Sequence, residues 1–411
     1  MKPTTSLLSA AIILALSAPA AFSLGFRIED QDAEATARGD AFAATADNPS
    51  AIWYNPAGIT QLEGTRALLG SYATTLRERV QPAAPGAEPF SNTNHELQFA
   101  PHFFVTTKSK GSPIALGLGI YAPYGLGLEY PDDTPFRTTA RKGKILYVAI
   151  NPVIAWKICD QLSVAAGPSV NYGNAELQQG VLALGDTFKF KGDGITWNFG
   201  AGILWNPHRM HHFGITYHSP TTINFSGHTT LHTDPFTVPT PFGPFPVAGI
   251  DRREEADATF HIPQNIVFGY SFTPTPDWNF EFNADWTDWH QLKTVTLHQD
   301  KSGDTTIPFN WQSSWFWEFG VTKKFSNGWQ ASVGYIWSEN SVPNDSFNPI
   351  VPDSNRHVLS AGFGQKLDHF NWNVAYQWAY GPTRTISQGT TSDGTYRAQG
   401  NAINLTLGYD F

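Results

Sequence analysis

The last nine residues set a pattern that most of the chain repeats. Ile403, Leu405, Leu407, Tyr409 and Phe411 fall on one side of a two-residue period, and Asn404, Thr406, Gly408 and Asp410 on the other. Successive strand side chains point to opposite faces, so this stretch predicts a strand with one apolar and one polar side. The alternation recurs over 370–380, 329–337 and 278–286, where Glu281 and Asp285 share the polar side of a strand whose other side is aromatic. Periodicity alone fits a soluble sandwich as well as a membrane barrel. The connections separate the two. Short ones (108–113, 158–161, 206–211, 273–277, 326–328, 367–369) alternate with long ones (123–143, 175–187, 228–255, 300–310, 340–355, 383–400). Tight turns at one end and long loops at the other mark an outer-membrane barrel, here of about fourteen strands with both ends in the periplasm. Trp278, Trp329 and Trp372 follow short turns and Trp205 precedes one, the height of an interfacial aromatic girdle.

The expected fold is therefore all-β: an antiparallel transmembrane β-barrel over 64–411. Residues 24–63 break the pattern. They are rich in Ala, Asp and Gly, carry the steps Asn48-Pro49 and Asn55-Pro56, and read as an N-terminal hatch, or plug, folded inside the lumen. Residues 1–23 read as a secretory signal peptide: Lys2, an apolar run over 7–16, then small residues before a cut after Ala21-Phe22-Ser23.

Composition agrees with export into a membrane. Aromatic residues reach 14% and charged residues only 15%, so the rings alternate with small polar residues instead of forming long apolar runs. Loss of Lys2 with the signal takes the formal charge from −9 to −10, which argues against a nucleic-acid partner. Cys159 is the one cysteine, so no intrachain disulfide forms. There is no Gly-x-Ser-x-Gly elbow and no His-Glu-x-x-His helix, so neither an enzyme nor a cofactor or metal is expected. The His208-Arg209-Met210-His211-His212 run reads as a surface turn.

The third strand, from Ile114, carries Gly117 and Gly119 and runs into Ala122-Pro123-Tyr124-Gly125-Leu126. Glycine weakens a strand and proline removes a ladder donor, so a kink or gap in the wall is expected there. This segment belongs to an ordered set: the Gly25-Phe26 start, Asn48-Pro49-Ser50, Asn55-Pro56-Ala57-Gly58, Asn151-Pro152-Val153-Ile154-Ala155-Trp156, and the run from Phe213 to Pro220. The set resembles the FadL/TodX (OmpP1) family of outer-membrane transporters. The resemblance implies a fourteen-stranded barrel with a hatch, a monomer, uptake of long-chain fatty acids or other hydrophobic molecules, and a sideways opening at the third strand.

Candidate site residues follow from that cargo. A hydrophobic solute gains about 0.8 kcal/mol per buried methylene, so its path needs apolar surface throughout. Tyr124, Leu126, Leu128, Tyr130 and Phe136 read as an outer capture surface or as loop packing. The prolines around Phe236, Phe242, Phe245 and Val247 suggest a preordered mouth, with packing or membrane contact the other readings. Arg137, Arg141, Lys142 and Lys144 suit a cargo carboxylate or lipopolysaccharide phosphates. Phe26, by the resemblance, is a lid on the pocket, and Gly117, Gly119, Pro123 and Gly125 form the gate. In the hatch, Arg38 with Asp40 or Asp47 is expected to anchor to lumenal groups such as Glu281 or Asp285, while Asn48, Pro49, Asn55, Pro56 and Gly58 shape turns. The expected function is uptake of hydrophobic molecules across the outer membrane, long-chain fatty acids first. An importer of aromatic hydrocarbons, a non-selective porin and a barrel phospholipase are the alternatives.

Overall fold

A computed structural model describes residues 26–93, 97–181, 183–241 and 243–411, so the expected signal peptide and Phe242 lie outside it. Fourteen antiparallel strands form one wall. They are β1 (Gly64–Pro82), β2 (Gln98–Lys108), β3 (Ile114–Glu129), β4 (Lys142–Cys159), β5 (Leu162–Gly180), β6 (Thr187–His208) and β7 (His211–His218, continued by Thr221–Thr233). Then come β8 (Ile250–Ile262 and Asn265–Thr275, with the chain running from one pairing into the other), β9 (Trp278–Thr287 and Thr294–Gln299), β10 (Thr305–Pro308 and Ser314–Lys324), β11 (Trp329–Ser338), β12 (Arg356–Leu367), β13 (Phe370–Tyr380) and β14 (Gly394–Asp410). The wall closes where β1 pairs with β14, from Arg66–Asp410 to Pro82–Gly394.

The wall is apolar outside and polar inside. On β14, Ile403, Leu405, Leu407 and Tyr409 are exposed while Asn404 and Thr406 are buried. On β6, Ile195 and Trp197 are 73% and 72% exposed and head an outward run ending at Trp205. That run covers roughly 33 Å of strand at about 3.3 Å per residue, which a tilted strand converts to an apolar band of about 25 Å. Trp205, Trp278 and Trp329 are exposed at its lower edge, beside the short turns.

Several strands run past the predicted ends. β3 continues to Glu129, so the loop read as 123–143 shrinks, and β7 and β8 reach Thr233 and Ile250. Beyond the bilayer an outward side chain has no need to be apolar, so alternation fades while backbone pairing persists. Four neighbouring strands are also interrupted: β7 at Ser219-Pro220, β8 at Pro263-Gln264, and β9 and β10 at longer breaks around Trp289 and Trp311. Pro220 and Pro263 supply no donor to the ladder there.

The wall encloses residues 26–62. They fold into α1 (Ala33–Ala37), α2 (Ala51–Tyr54) and a 3-10 turn (Pro56–Gln61), pieces too short to persist alone. Their side chains pack against inward faces all round the wall, α1 on β11 to β14 and the 3-10 turn on β3 to β6.

Candidate functional site

Polar spokes fix the N-terminal segment to the wall. Arg27 grips Asp285 of β9 with both ends of its fork (3.0 and 2.8 Å), also donates to Thr287 (2.5 Å), and meets Glu29 at 2.5 Å. Arg38 pairs with Glu281 at 3.2 Å and donates to Asn279, and Glu281 also accepts the Ala44 amide (2.7 Å). Asn404 of β14 donates to the Asp30 carbonyl (3.1 Å), and Lys108 of β2 to the Thr60 carbonyl (2.7 Å). Asn55 caps the 3-10 turn by accepting from the Ala57 amide, and its own amide reaches the Ile203 carbonyl of β6 (3.0 Å). Asn48 donates to Asp32 (2.6 Å) and fixes the turn before Pro49. Pro56 opens the 3-10 turn, and Gly58 lies against the Ala46 carbonyl with no room for a side chain. Arg38 thus meets one of its expected partners. Asp47 instead pairs with Lys324 (3.3 Å), and Asp40 accepts from Tyr54 (2.8 Å). Asp285 belongs to Arg27, which sequence reasoning passed over.

This segment carries an excess of buried carboxyls. Burial, only partly offset by Arg27, pushes Glu29 up to about 8, and burial pushes Asp30 up to about 6. Asp40, hydrogen-bonded to Asp30 side chain to side chain, is also driven upward by burial and by that neighbour.

The wall is incomplete at β3. β2 pairs with β3 only from Thr107–Leu116 to Phe103–Ile120, whereas β4 follows β3 to Glu129 past a register shift between Tyr121 and Tyr124. Above Ile120 the N-terminal segment takes the edge β2 leaves. The Ile28 amide donates to the Pro123 carbonyl and the Gly125 amide to the Phe26 carbonyl, both at 2.8 Å. Gln31 adds a bond to the Ala122 carbonyl (3.0 Å). The irregularity thus sits at Ala122-Pro123. Gly117 and Gly119 lie below it in regular ladder, where a Cβ would come within 2.8 and 3.0 Å of Ile52. They make room for the N-terminal segment and leave the bend to Pro123.

Directly inside this edge lies a packed cluster of rings. Phe26, 1% exposed, packs on Trp289 (4.8 Å between centroids), Phe260 (5.3 Å), Trp311 (5.8 Å) and Tyr124 (5.9 Å). The break in β10 turns Trp311 inward against the alternation that buries Ser314, Phe316 and Glu318, whereas Trp289 keeps the inward parity of Glu281, Asp285 and Thr287. The lapse of the two-residue period after Trp286 was the only sequence signal for them. Leu128, Tyr130 and Phe136 join the same apolar cluster and are buried; they form its roof, not an exposed surface. The side chain of Leu126 lies outside the described residues. Exposed apolar surface lies instead on a hairpin, Phe236–Thr240 paired with Gly243–Val247, where Phe245 is 63% exposed.

Toward the loops a cleft of ≈ 700 Å³, open mouth included, is lined by Leu177, Phe190, Leu297, Ile307 and Phe309, with Lys142 at its rim. Arg137 and Arg141 both pair with Asp132, at 3.1 and 3.3 Å. Burial opposes ionisation of Asp132, but the Gly185 amide and the two guanidiniums outweigh it and hold the carboxyl below its usual range. The expected cationic cluster is therefore split: its arginines staple loops and Lys142 alone borders the cleft. Among the described residues no group of three or more His, Cys, Asp or Glu is arranged to hold a metal ion.

Residues 14–411 match the family model described as outer membrane protein transport protein (OMPP1/FadL/TodX). A long-chain fatty acid transport protein of Salmonella typhi is 23% identical, over 92% of each chain. Among solved structures, a Pseudomonas aeruginosa FadL homologue superposes with a TM-score of 0.80 at 18% identity, covering 94% of this chain and all of the other. The Pseudomonas putida toluene transporter TodX does so with a TM-score of 0.73 at 15% identity, covering 94% of this chain and 99% of the other. At those identities the superpositions establish the fold.

Proposed function

Because the chain belongs to the OMPP1/FadL/TodX family of outer-membrane transport proteins, we propose that it imports long-chain fatty acids through a laterally opening wall. One observation carries the reading: the β3 edge abandoned by β2 is held by Phe26 and Ile28, and Phe26 is also part of the buried apolar ring cluster. Cargo that displaces Phe26 therefore loosens the residues that seal the edge. The solute meets the Phe236–Val247 hairpin, enters the cleft rimmed by Lys142, and reaches the ring cluster, where it displaces Phe26, exchanging water for apolar contact at each stage. Residues 26–62 act as a hatch across the axial route, so exit is sideways between β2 and β3. Lys142, at the rim of the cleft and paired with Glu129 and Glu176, is the head-group partner for a carboxylate that displaces those pairs. The same hatch speaks against a non-selective porin.

The ring cluster itself favours a second cargo, neutral aromatic hydrocarbons. It is built from rings, and Arg27 beside it is already committed to Asp285 and Glu29. Equilibrium binding of a long-chain fatty acid and an alkylbenzene of similar apolar area, to the wild type and to Lys142→Gln, decides between them. The fatty-acid reading expects tighter binding of the acid and a loss confined to it in Lys142→Gln. Equal losses for both ligands, or preference for the hydrocarbon, would overturn it.

A further inference from the structure

We propose that the outward face of β4, β5 and β6, just above the apolar band, binds the phosphates of an outer-leaflet glycolipid through Lys142, Lys144, Lys189 and Lys191. Register brings the four together. Lys144 lies opposite Glu176, which lies opposite Lys191; one step further out, Lys142 lies opposite Gln178, which lies opposite Lys189. Glu176 holds three of them, Lys189 at 2.9 Å, Lys191 at 3.4 Å and Lys142 at 3.6 Å, and Lys142 also meets Glu129 at 3.4 Å. Four ammonium groups against two carboxylates leave two positive charges in excess, on a chain whose formal charge is −9. Arg253, 3.2 Å from His228, extends the row onto β7 and β8, with Asp193 and Glu255 along its border.

Height decides what meets this patch. Lys191 lies four residues beyond Ile195, Lys144 six beyond Ile150, and Glu176 six beyond Val170, all three of them exposed apolar residues. Those steps amount to roughly 13–20 Å of tilted strand, which sets the ammonium groups at the head groups and clear of the hydrocarbon. An outward-facing strand surface at that level touches lipid, and a phosphate monoester carries the charge that the excess matches. Glu176 preassembles the lysines, so little side-chain freedom is left to lose on binding. The basic residues expected from sequence to serve this role included Arg137 and Arg141, which Asp132 consumes; the lysines of β6 replace them. The inference needs only residence in the outer membrane, and its test leaves out Lys142, the one residue it shares with the proposed cargo route.

The test uses the full mature chain in detergent, with bound glycolipid followed by native mass spectrometry. The probes are bisphosphorylated lipid A, its dephosphorylated form and inorganic phosphate. Bisphosphorylated lipid A should be retained and the other two should not. Lys189→Gln with Lys191→Gln should weaken retention about thirtyfold, while Lys323→Gln with Lys366→Gln, at the opposite end, should leave it unchanged. Melting temperatures equal to wild type confirm that both double variants are folded; should the first melt early, Lys144→Gln alone is expected to cost about fivefold. Equal binding of the dephosphorylated lipid, retention unaffected in every lysine variant of the patch, or displacement by inorganic phosphate at equal concentration would each overturn the assignment.

Discussion

Removing the Arg27 side chain tests how the edge of β3 is sealed. Arg27→Ala leaves Asp285 and Glu29 buried beside one another with no cation between them. Deleting one partner of a buried ion pair costs about 3–5 kcal/mol, chiefly because the remaining charge is stranded. Residues 26–28 are otherwise held to β3 by two backbone hydrogen bonds and by the Phe26 ring. The penalty therefore falls on a small contact and should multiply its opening constant by between about two and three and a half orders of magnitude. Hydrogen exchange of the Ile28 and Gly125 amides reads this directly, since both donate across the seam. A companion variant, Arg27→Met with Glu29→Gln and Asp285→Asn, removes the same ion pair but strands no charge, so it should recover most of the protection. The reasoning fails if Gly125 exchanges at the wild-type rate in Arg27→Ala, or if the neutral variant opens as far as the charged one.

Three further outcomes are expected. Gly117→Val drives a branched side chain into Ile52 and should lower thermal stability by about 1–3 kcal/mol, with most of the loss restored by adding Ile52→Ala; no restoration would place the strain elsewhere. Deleting residues 24–62 should leave a folded barrel of raised single-channel conductance, and an unchanged conductance would count against a closing role for the segment. Docking of the segment should depend on pH. Glu29 and Asp30 bind protons more tightly when docked, at about 8 and about 6, than when free, so docking is strongest below about pH 4 and weakens as pH rises to about 8. Exchange of residues 26–40, corrected for intrinsic rate, should then accelerate relative to reference between pH 5 and pH 8; added protection at pH 8 would reverse the sign.

The wall was legible in the sequence because lipid imposes a strict rule on every second residue within the band, as in Trp278 to Trp286. Where that constraint ends, so did the reading: on the outer reach of β8 the outward positions turn polar, as at Arg253, Glu255 and Asp257, while Ala256, Ala258 and Phe260 face inward, so the apolar-outward rule no longer marks the strand. The kink was expected over Gly117, Gly119, Pro123 and Gly125, and the register shift falls beside Pro123; the first two glycines instead accommodate Ile52, a contact between residues distant in the chain. Arg27 drew no attention for a similar reason, since its partner lies 258 positions away. Trp311 joins the ring cluster because β10 breaks and its alternation reverses, which a single-strand reading does not register, whereas Trp289 keeps the inward parity of Asp285 and Thr287.

The seam between β1 and β14 joins the start of the wall to the end of the chain. Residues 26–62 precede every described strand of the wall, yet they hydrogen-bond to β2, β6, β9 and β14 at once. Those bonds cannot all exist until the ribbon has curled round and zipped shut. The guest and the ring that holds it must reach their final form together, and the pairing of β1 with β14 sets the moment.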